Sequence, residues 1–525
     1  MLENAQGYKD RSFTGVPTRK LAWSGVSDNI IGDALRSRFG RVRITITPHP
    51  CTPNTFTMEE IKMGGKIKGT SDRKRKRLSK HLEQINLYAA GIDIGSSSHY
   101  VAVPEGLDTE SVRSFSCFTG GLKRMAAWLV EIGIETVAME STGIYWIPAY
   151  EILEESGLEV LLVNARNVKN VSGRKSDVLD CQWLQQLHTY GLLQGAFRPP
   201  EHITSLRAYM RQRDTLIKYA SSHIQHMQKA LRQMNLLLDN VVSDVTGKTG
   251  MAIIRAILDG EREPEKLAVY RDPRCRKSEE EISASLHGHY REEYILSLRQ
   301  SLHLYETYLE QIHECDLAIK ELLDGFESNG DPDSLPPSGE RKSASAPQWG
   351  AREELFRITG VDLTRIPGIS EVTALKIISE IGTDMSRWKS AKHFASWLGL
   401  SPGTNVSGGK VLSKKTKRTA NRAASALRMA AFSVTNSKSA IGAYHRRMRA
   451  KHGSPKAITA TAHKLARLIY SMLLNGVEFV EEGMDYYENQ YKDRVLKNLK
   501  RRASQMGFEL TPMENTGALS TSGVM

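Results

Sequence analysis

Asp93 lies where a charged carboxylate is energetically unfavourable. It lies between Ile92 and Ile94, in a short run of β-branched residues that predicts a strand ahead of a Gly-Ser turn. A charge inside a sheet is unfavourable unless it meets a proton, a cation or a metal ion. Because ionisable groups held against such a cost cluster at functional sites, we interpret Asp93 as a site residue rather than a turn or capping residue.

Three further acids follow Asp93 along the chain. Glu140 ends a predicted strand, whereas Asp177 and Asp180 stand three residues apart at the start of a predicted helix. This spacing puts both aspartates on one helix face, which by itself is also typical of a solvated acidic surface. Like charges need a counter-charge, so the pair together with the strand-end acids predicts a shared Mg²⁺ site. Two such ions about 4 Å apart can activate an attacking oxygen and stabilise a leaving oxygen in phosphoryl transfer.

Alternating strands and helices must position these acids. Strands are predicted at 89–94, 100–103, 112–118, 136–139 and 159–163. Helices are predicted from Thr119, around 144–154 and over 176–190, with a loop over 164–175. Three strands followed by helix, strand, helix, strand and helix is the order of a ribonuclease H-like sheet, although alternation alone fits many α/β folds.

Three phrases around the acids resemble a known family. They are GIDIGSSSHYVAV at 91–103, AMESTGIYW at 138–146 and GRKSDVLDCQWL at 173–184, and their acids follow the order Asp, Glu, Asp-x-x-Asp. In these phrases and in their order the chain resembles the IS110 family of transposases, over roughly residues 86–480. The long segment before Tyr88 departs from the family, whose members begin close to the first aspartate.

The resemblance implies a fold, a chemistry and a set of partners. The fold is α/β plus α: a RuvC-like, ribonuclease H-like domain at 88–200, in which Asp93, Glu140, Asp177 and Asp180 are catalytic Mg²⁺ ligands, followed by helical segments. The activity is that of a transposase, which excises and inserts its mobile element by breaking and rejoining DNA under the guidance of a bridge RNA. The partners are donor and target DNA, the bridge RNA and further copies of the chain, in a dimer or tetramer.

Two helical seams follow the α/β segment. Apolar residues recur every three or four positions over 217–238 and again over 295–323, where Asp316 interrupts the pattern. Such seams are typical of coiled coils, so a coiled-coil or helical domain is predicted at 201–326. Packing within one chain is compatible with the pattern, but we prefer pairing between subunits because the resembled family acts as an oligomer.

A mostly helical C-terminal transposase domain is predicted at 353–480, after a Ser/Pro/Gly-rich linker at 327–352. Near its start, a Pro-Gly-Ile turn precedes Ser370, which is a candidate N-cap. The turn is compatible with a helix-hairpin-helix element that holds a phosphate through free backbone N–H groups, or with a plain helix entry.

Ser407 is the candidate nucleophile. In the resembled family the serine before a Gly-Gly pair attacks DNA, and the resemblance implies this role for Ser407 and a covalent serine–DNA intermediate. Cations that would follow a nucleic-acid backbone come next. They are Lys410, Lys414, Lys415, Lys417, Arg418 and Arg422. The family carries a glycine in this Lys-rich turn, and here the run from Lys414 to Ala420 has none.

Composition narrows the classes of protein. The net charge of +13 and the isoelectric point near 9.3 favour a polyanionic partner such as nucleic acid. The five scattered cysteines form no Cys-x-x-Cys, which argues against a zinc module and for a reducing compartment. With no run of about 18 apolar residues and no signal-peptide core, we expect a cytoplasmic, nucleoid-associated prokaryotic protein without a membrane partner.

The two ends of the chain are predicted to lack fixed structure. Residues 1–87 are a basic extension poor in periodic apolar pattern, and Arg73–Arg77 is its densest charge block. A solvated tail and a non-specific nucleic-acid arm are both compatible with this composition. Residues 481–525 are predicted as a C-terminal tail, and within it fixed structure is predicted to be absent beyond Ser504.

Three other classes of function stay open beside recombination. A RuvC-like metal-dependent nuclease would use the same acids without rejoining DNA. An actin-like sugar kinase would hold a phosphate at the Gly-Ser turn after Asp93, but the second phosphate loop and adenosine motif that it needs are not found in the sequence. A catalytically silent nucleic-acid-binding or structural protein would have no use for the placed acids.

Overall fold

The structure, a computed structural model, describes residues 83–141, 143–164, 177–337, 345–413, 415–416, 419–476 and 483–511. These residues belong to one structural unit, Leu78–Met525. Several predictions lie outside the described residues. They concern the N-terminal extension up to residue 82, the loop at 165–176, part of the linker, the tail after 511, and Lys414, Lys417 and Arg418.

A five-stranded sheet forms the first part of the described chain. Its strands are β1 (Ala89–Ile94), β2 (Ser98–Ala102), β3 (Val112–Ser116), β4 (Thr136–Glu140) and β5 (Glu159–Val163). They lie in the order β3-β2-β1-β4-β5; β1, β2 and β3 pair antiparallel, whereas β1, β4 and β5 pair parallel. Helices α1 (Thr119–Glu131), α2 (Trp146–Glu155) and α3 (Asp177–Thr189) follow β3, β4 and β5. This arrangement fits the expected ribonuclease H-like domain.

The two faces of the sheet have different partners. Alternate strand residues pack with α1 and α2 in a buried apolar core. Among its members are Ile92, Ile94, Val101, Val137, Met139, Leu122, Met125, Leu129, Ala149 and Leu153. Because successive strand residues point to opposite faces, Gly91 and Asp93 belong to the other face, where α3 packs on β1.

The strand and helix bounds agree closely with the sequence pattern. Strands β1 and β5 have the predicted bounds, and α1 begins at the predicted residue, Thr119. The strand predicted at 112–118 ends earlier, at Ser116, because α1 begins at Thr119 directly after the exposed Phe118.

Two long helices form the middle of the chain. Helix α4 (Glu201–Gln233) runs antiparallel to a second helix of equal length, which spans Glu292–Asp324. Between them lie α5 (Leu238–Val241), α6 (Lys248–Leu258), α7 (Pro264–Ala268) and α8 (Glu279–Ser285), and the second long helix is α9. The short helices close one end of the pair around a second apolar core. The two predicted seams therefore meet each other within one chain, and pairing between subunits stays a prediction.

The interruption of the second seam has a structural explanation. Asp316 on α9 is buried and forms an ion pair with Arg213 on α4, whose side chain is 1% exposed. Nη2 of Arg213 lies 3.1 Å from Oδ2 of Asp316 and donates to the carbonyl of Ser345 at 2.8 Å. Each of these buried charges needs the other as its partner, and the rest of the two seams is apolar. The pair therefore forms in only one alignment of the two helices and fixes their register.

We expect Arg213→Leu to destabilise the protein strongly, because Asp316 would keep a buried charge without its partner. Removing one partner of a buried ion pair costs about 3–5 kcal/mol. The double variant Arg213→Leu/Asp316→Leu should regain most of this loss, since apolar residues can replace a buried pair. Urea unfolding followed by circular dichroism measures both variants. An Arg213→Leu protein as stable as the wild type would contradict this role of the pair.

The last part of the chain is mainly helical. Its helices are α10 (Ala351–Thr359), α11 (Glu371–Ile381), α12 (Ala391–Trp397), α13 (Arg422–Ser433), α14 (Ala440–His452), α15 (Ser454–Asn475) and α16 (Gly483–Gln505). A two-stranded hairpin, β6 (Asn405–Ser407) and β7 (Lys410–Ser413), lies between α12 and α13. Ser370 caps α11 by accepting a hydrogen bond from the backbone N–H of Thr373, which confirms the predicted N-cap.

The third apolar core joins this part to the long helices. It combines residues of α11, α13 and α15 with Leu206 and Met210 of α4 and Ile319 and Leu323 of α9. One end of the helical pair is therefore anchored in the C-terminal core. Among the helices that the structure describes, none is both long and apolar enough to cross a membrane.

Candidate active site at the sheet edge

Asp93 and Glu140 lie at the ends of two neighbouring strands. Strands β1 and β4 are parallel, and their register pairs Ile92 with Met139, so each acid is the next residue on its strand. Both acids are partly exposed. Because parallel strands deliver their carboxyl ends to the same edge of a sheet, the two carboxylates come to one edge, where α/β sheets commonly carry their sites.

Helix α3 packs on β1 through a glycine. A Cβ atom placed on Gly91 would lie 2.3 Å from the backbone nitrogen of Gln185 and 2.5 Å from the carbonyl oxygen of Cys181. Only a residue without a side chain permits this approach of a helix backbone to a strand. Asp93 lies two residues further along β1 and therefore belongs to the face that α3 covers.

A buried hydrogen bond fixes the far end of α3. Oγ1 of Thr136, at the start of β4, lies 2.9 Å from Nε2 of His188. Burial lowers the pKa of His188 to about 4, so the ring is neutral near pH 7 and adds no charge to the site. Thr136 and Glu140 are four residues apart on one strand, so Glu140 also belongs to the α3 face.

Asp177 and Asp180 occupy the first turn of α3. The end of α3 contacts the start of β4 through His188, and Cys181, nearer the start of the helix, lies over Gly91 in the middle of β1. The first turn of α3 therefore lies toward the edge that carries Asp93. The pKa of the Cys181 thiol depends on the acids around it. Burial raises its pKa to about 12, and the negative charges of Asp93 and Asp180 act in the same direction. The fold thus brings all four predicted acids to one end of one sheet face.

The donor chemistry of this edge fits a divalent cation, because carboxylate oxygens are the protein ligands that Mg²⁺ takes. Within the described ranges, no group of three or more His, Cys, Asp or Glu side chains is arranged to hold a metal ion. Acids in the first turn of α3 are also favoured by the helix dipole.

We expect Gly91→Ala to disturb this edge, because its new methyl group would clash with two backbone atoms of α3. Overpacking of a well-filled core typically costs about 1–3 kcal/mol. The matched control is Gly120→Ala, where the nearest atom to the added Cβ is the end of the Arg124 side chain at 3.7 Å. Thermal unfolding should place the melting temperature of Gly91→Ala well below that of Gly120→Ala. Equal values would contradict the close packing of α3 on β1.

Ser407 lies at the tip of the exposed hairpin. Strands β6 and β7 pair it with Lys410 across a turn of Gly408 and Gly409. Both glycines have positive φ values, 54° and 75°, as expected for the tight turn of a two-residue hairpin. A Cβ atom on either glycine would meet nothing within 4 Å, so the tip stands clear of the rest of the described chain. The structure does not bring Ser407 into the acidic edge.

Three of the predicted cations lie in the same segment as Ser407. Lys410 opens β7, Lys415 follows the hairpin, and Arg422 is the first residue of α13; all three are exposed. A hydrogen bond from the backbone N–H of Gly403 to the carbonyl of Lys415 ties the base of the hairpin together. The described cations therefore follow the serine along one segment of the chain, in β7, after the hairpin and at the start of α13.

Sequence reasoning missed the hairpin and the apolar residues around both candidate sites. The Gly-Gly pair between two short β-branched stretches was the available signal for the hairpin. Several large apolar side chains are exposed beside the acids or on the hairpin. They are Ile144, Tyr145, Val178 and Leu179 near the acids, and Val406, Val411 and Leu412 on the hairpin. Exposed apolar groups of this kind mark contact surfaces, and their pattern alone reads as core.

Comparisons with known proteins follow the same division of the chain. A family model described as "Transposase", for the DEDD domain of IS110, matches residues 90–236 and so includes all four acids. A second model, "Transposase IS116/IS110/IS902 family", matches residues 362–446, which include Ser407. The chain is also 30% identical over 153 residues to "Insertion element IS110 uncharacterized 43.6 kDa protein" of Streptomyces coelicolor.

The match to the Streptomyces protein is partial. It covers 29% of this chain, which spans 37% of the length of that relative. The two family models match separate parts of the chain, in the order of the acids and then the serine. In these two separate parts the chain is similar to the IS110 family of transposases.

Proposed function

We propose that this protein is a transposase that excises and inserts its mobile element by breaking and rejoining DNA. The observation that carries the proposal is the placement of Asp93, Glu140, Asp177 and Asp180 at one end of a ribonuclease H-like sheet. Four carboxylates gathered there repel one another unless a cation binds them. The basic charge of the chain, +13, also suits a DNA substrate.

The four acids would hold Mg²⁺. A bound divalent ion supplies Lewis-acid chemistry, which polarises a phosphate oxygen and stabilises charge in the transition state. The strands hold Asp93 and Glu140 on a rigid base, while α3 carries Asp177 and Asp180 toward them. The close packing of α3 on Gly91 sets the distance between these two pairs of carboxylates.

Ser407 would be the nucleophile. Its Oγ forms a bond to a DNA phosphorus and the P–O3′ bond breaks, which leaves a 5′-phosphoserine and a free 3′-hydroxyl that takes up the serine proton. In the rejoining step a 3′-hydroxyl attacks the phosphoserine and the serine regains its proton. A serine hydroxyl needs activation for this attack. Lys410, Lys415 and Arg422 are near enough in the chain to stabilise phosphate charge, and Lys414, Lys417 and Arg418 belong to the same run.

The complete site would form only on assembly. The acids and Ser407 lie on separate parts of the fold, and the tip of the hairpin is free of contacts with the described chain around its two glycines. Exposed apolar side chains beside the acids and on the hairpin would be covered when the two surfaces meet. In a dimer or tetramer the two surfaces would come from different subunits, which would keep an unassembled protein from cutting DNA.

We further propose that a bridge RNA selects the donor and target DNA. Support comes from the family that the chain resembles and from its sequence, in which no base-reading module such as a zinc finger is recognisable. Purified protein should recombine donor and target DNA only with a non-coding RNA from its own element. Protein freed of RNA by nuclease treatment and high salt, with and without added RNA, provides the comparison. Site-specific recombination by the RNA-free protein would contradict this proposal.

A metal-dependent nuclease is the second candidate, because all the proposed metal ligands lie at the acidic edge and none comes from the hairpin. The products separate the two functions. A nuclease leaves free 5′-phosphate ends and no joined DNA, whereas a transposase yields joined strands. Sequencing of reaction products from paired donor and target DNA therefore decides between them.

A further inference from the structure

A cleft in the C-terminal part of the protein plays no part in the chemistry described above. It lies between α12, α14, α15 and α16 and has a volume of about 700 Å³. The polar and aromatic side chains that dominate its lining are Tyr444, Lys464, Arg467, Tyr486, Tyr487 and Arg494. Among the described residues that line it, none is an aspartate or a glutamate. The cleft therefore combines aromatic faces with positive charge.

The aromatic wall is held in place by neighbouring cations. The rings of Tyr444 and Tyr487 meet edge to face, with centroids 6.2 Å apart, and Nζ of Lys464 lies 5.1 Å and 5.4 Å from the two ring centres. Nη1 of Arg447 donates to the hydroxyl of Tyr487 at 3.0 Å. These contacts orient Tyr487 before any ligand binds, which reduces the entropic cost of binding.

Tyr486 differs from these two tyrosines because 44% of it is exposed. Its hydroxyl accepts a hydrogen bond from Nε2 of Gln490 at 2.7 Å, one turn further along α16. An aromatic ring that is fixed at its hydroxyl and open to solvent offers a flat surface on which a second ring can stack. A nucleobase is such a ring.

The positive charge of the cleft is available to a ligand. Arg467 and Arg494 are exposed, and neither forms an ion pair with a carboxylate in the part of the chain that the structure describes. Burial, with the charge of Arg467, lowers the pKa of His463, so this ring is neutral near pH 7 and its N–H can serve as a donor. Two guanidinium groups, with no acid among the described residues that line the cleft, favour a ligand that carries phosphates.

We infer that this cleft binds a single-stranded stretch of nucleic acid, with a base stacked on Tyr486 and phosphates paired with Arg467 and Arg494. Aromatic stacking together with a cationic track is how single strands bind without sequence preference. A duplex would not fit this chemistry, because its bases are already stacked on each other and present only their edges. A volume within the range of about 300–1,000 Å³ for small-ligand sites suits a short stretch of strand rather than a helix.

The site uses neither the acids nor Ser407, so it is independent of the proposed chemistry. A strand that passes through the cleft would be held on the C-terminal part of the protein while chemistry proceeds elsewhere. The inference can therefore fail while the transposase proposal stands, and the reverse is also true.

Fluorescence anisotropy with labelled oligo-dT and oligo-U strands, at several salt concentrations, tests the inference on the full chain. We expect Arg467→Gln/Arg494→Gln to weaken binding at least tenfold and to flatten the slope of log affinity against log salt by about 1.4, or about 0.7 for each lost phosphate contact. We expect Tyr486→Ala to weaken binding by about 5- to 100-fold, the range for loss of one base–aromatic stack, with little change in that slope.

Matched variants separate the cleft from general charge and aromatic effects. Lys500→Gln/Arg501→Gln removes two exposed cations from α16 outside the cleft lining, and Tyr270→Ala removes an exposed tyrosine elsewhere. Both should bind like the wild type. Arg467→Lys/Arg494→Lys should keep the salt slope, and this rules out a purely structural effect of the two residues.

The two strands identify the source of the ligand. Equal binding of oligo-dT and oligo-U points to the shared phosphate and base chemistry, whereas preference for oligo-U points to contacts with the 2′-hydroxyl. Either result supports the inference if the cleft variants weaken binding by the expected amounts. Wild-type affinity and salt slope in Arg467→Gln/Arg494→Gln, or equal losses in the control pair on α16, would overturn it.

Discussion

Asp93→Asn should reduce the rate of DNA excision by about 10³-fold or more, because the proposed metal would supply several kcal/mol of transition-state stabilisation and each 1.4 kcal/mol is about tenfold in rate. The change removes a charge and keeps the shape of the side chain. We expect the same loss for Glu140→Gln, Asp177→Asn and Asp180→Asn, each measured by quantitative PCR of excised donor DNA.

The fold should survive these changes. Asn and Gln keep the shape of the side chains that they replace, so each variant should still unfold in a single cooperative thermal transition. Glu155→Gln is the matched control, since this exposed acid ends α2 in the same domain without belonging to the edge. If both aspartate variants of α3 excise DNA at the wild-type rate, the assignment of the metal ligands is wrong.

Ser407→Ala should abolish strand exchange and the covalent protein–DNA species together. Without the hydroxyl no phosphoserine can form, and the loss of a nucleophile should be of the order of 10³-fold or more in rate. Wild-type protein incubated with end-labelled DNA should give a slowly migrating band on a denaturing gel that survives SDS. The band should disappear after digestion of the protein and should be absent in the variant.

Thr404→Ala is the control for the hairpin, because it removes an exposed hydroxyl three residues before Ser407 on the same segment. It should form the adduct at the wild-type level. An adduct that persists in Ser407→Ala would rule out this serine and point to another side chain as the nucleophile. Strand exchange by Ser407→Ala without any adduct would leave a water molecule or a 3′-hydroxyl as the attacker. Because the serine lies on an exposed turn, neither change should shift the melting temperature.

Local pattern was sufficient to predict the sheet. The strand around Asp93 and the strand at 159–163 are short runs with β-branched residues, bounded by turn residues. Residues close in the sequence therefore determine where each strand begins and ends. The end of β3 was harder to predict. The apolar character of Phe118 continues the strand pattern, but the helix that begins at Thr119 takes precedence.

The sequence alone suggested the four acids as candidates, whereas their placement at one edge of the sheet needed the structure. Glu140 could be identified as a candidate because a charged residue at the end of an apolar strand is visible in the local sequence. The approach of α3 to β1 depends on Gly91, which in the sequence is only a glycine within a strand. A periodic pattern likewise predicts that a helix has an apolar face but not which element packs against that face. The pattern of the two seams therefore did not predict that they pack against each other.

Features assembled from distant residues escaped the sequence altogether. The cleft near Tyr486 joins side chains from four helices, and no spacing in the chain relates Tyr444 to Arg494. The hairpin of Ser407 had a local signal in its two glycines, but exposed strands without an inward apolar face lack the alternation that identifies most strands.

The location of the metal is the most direct test of the proposed chemistry. Crystals of the wild-type protein grown with Mn²⁺ and DNA give an anomalous difference map in which the metal is identified by its scattering alone. We expect a peak bounded by the carboxylates of Asp93, Glu140, Asp177 and Asp180, and its loss in Asp93→Asn. A map from active protein with no peak at this edge, or with its peak at another set of ligands, would contradict the assignment of the four acids as the metal site.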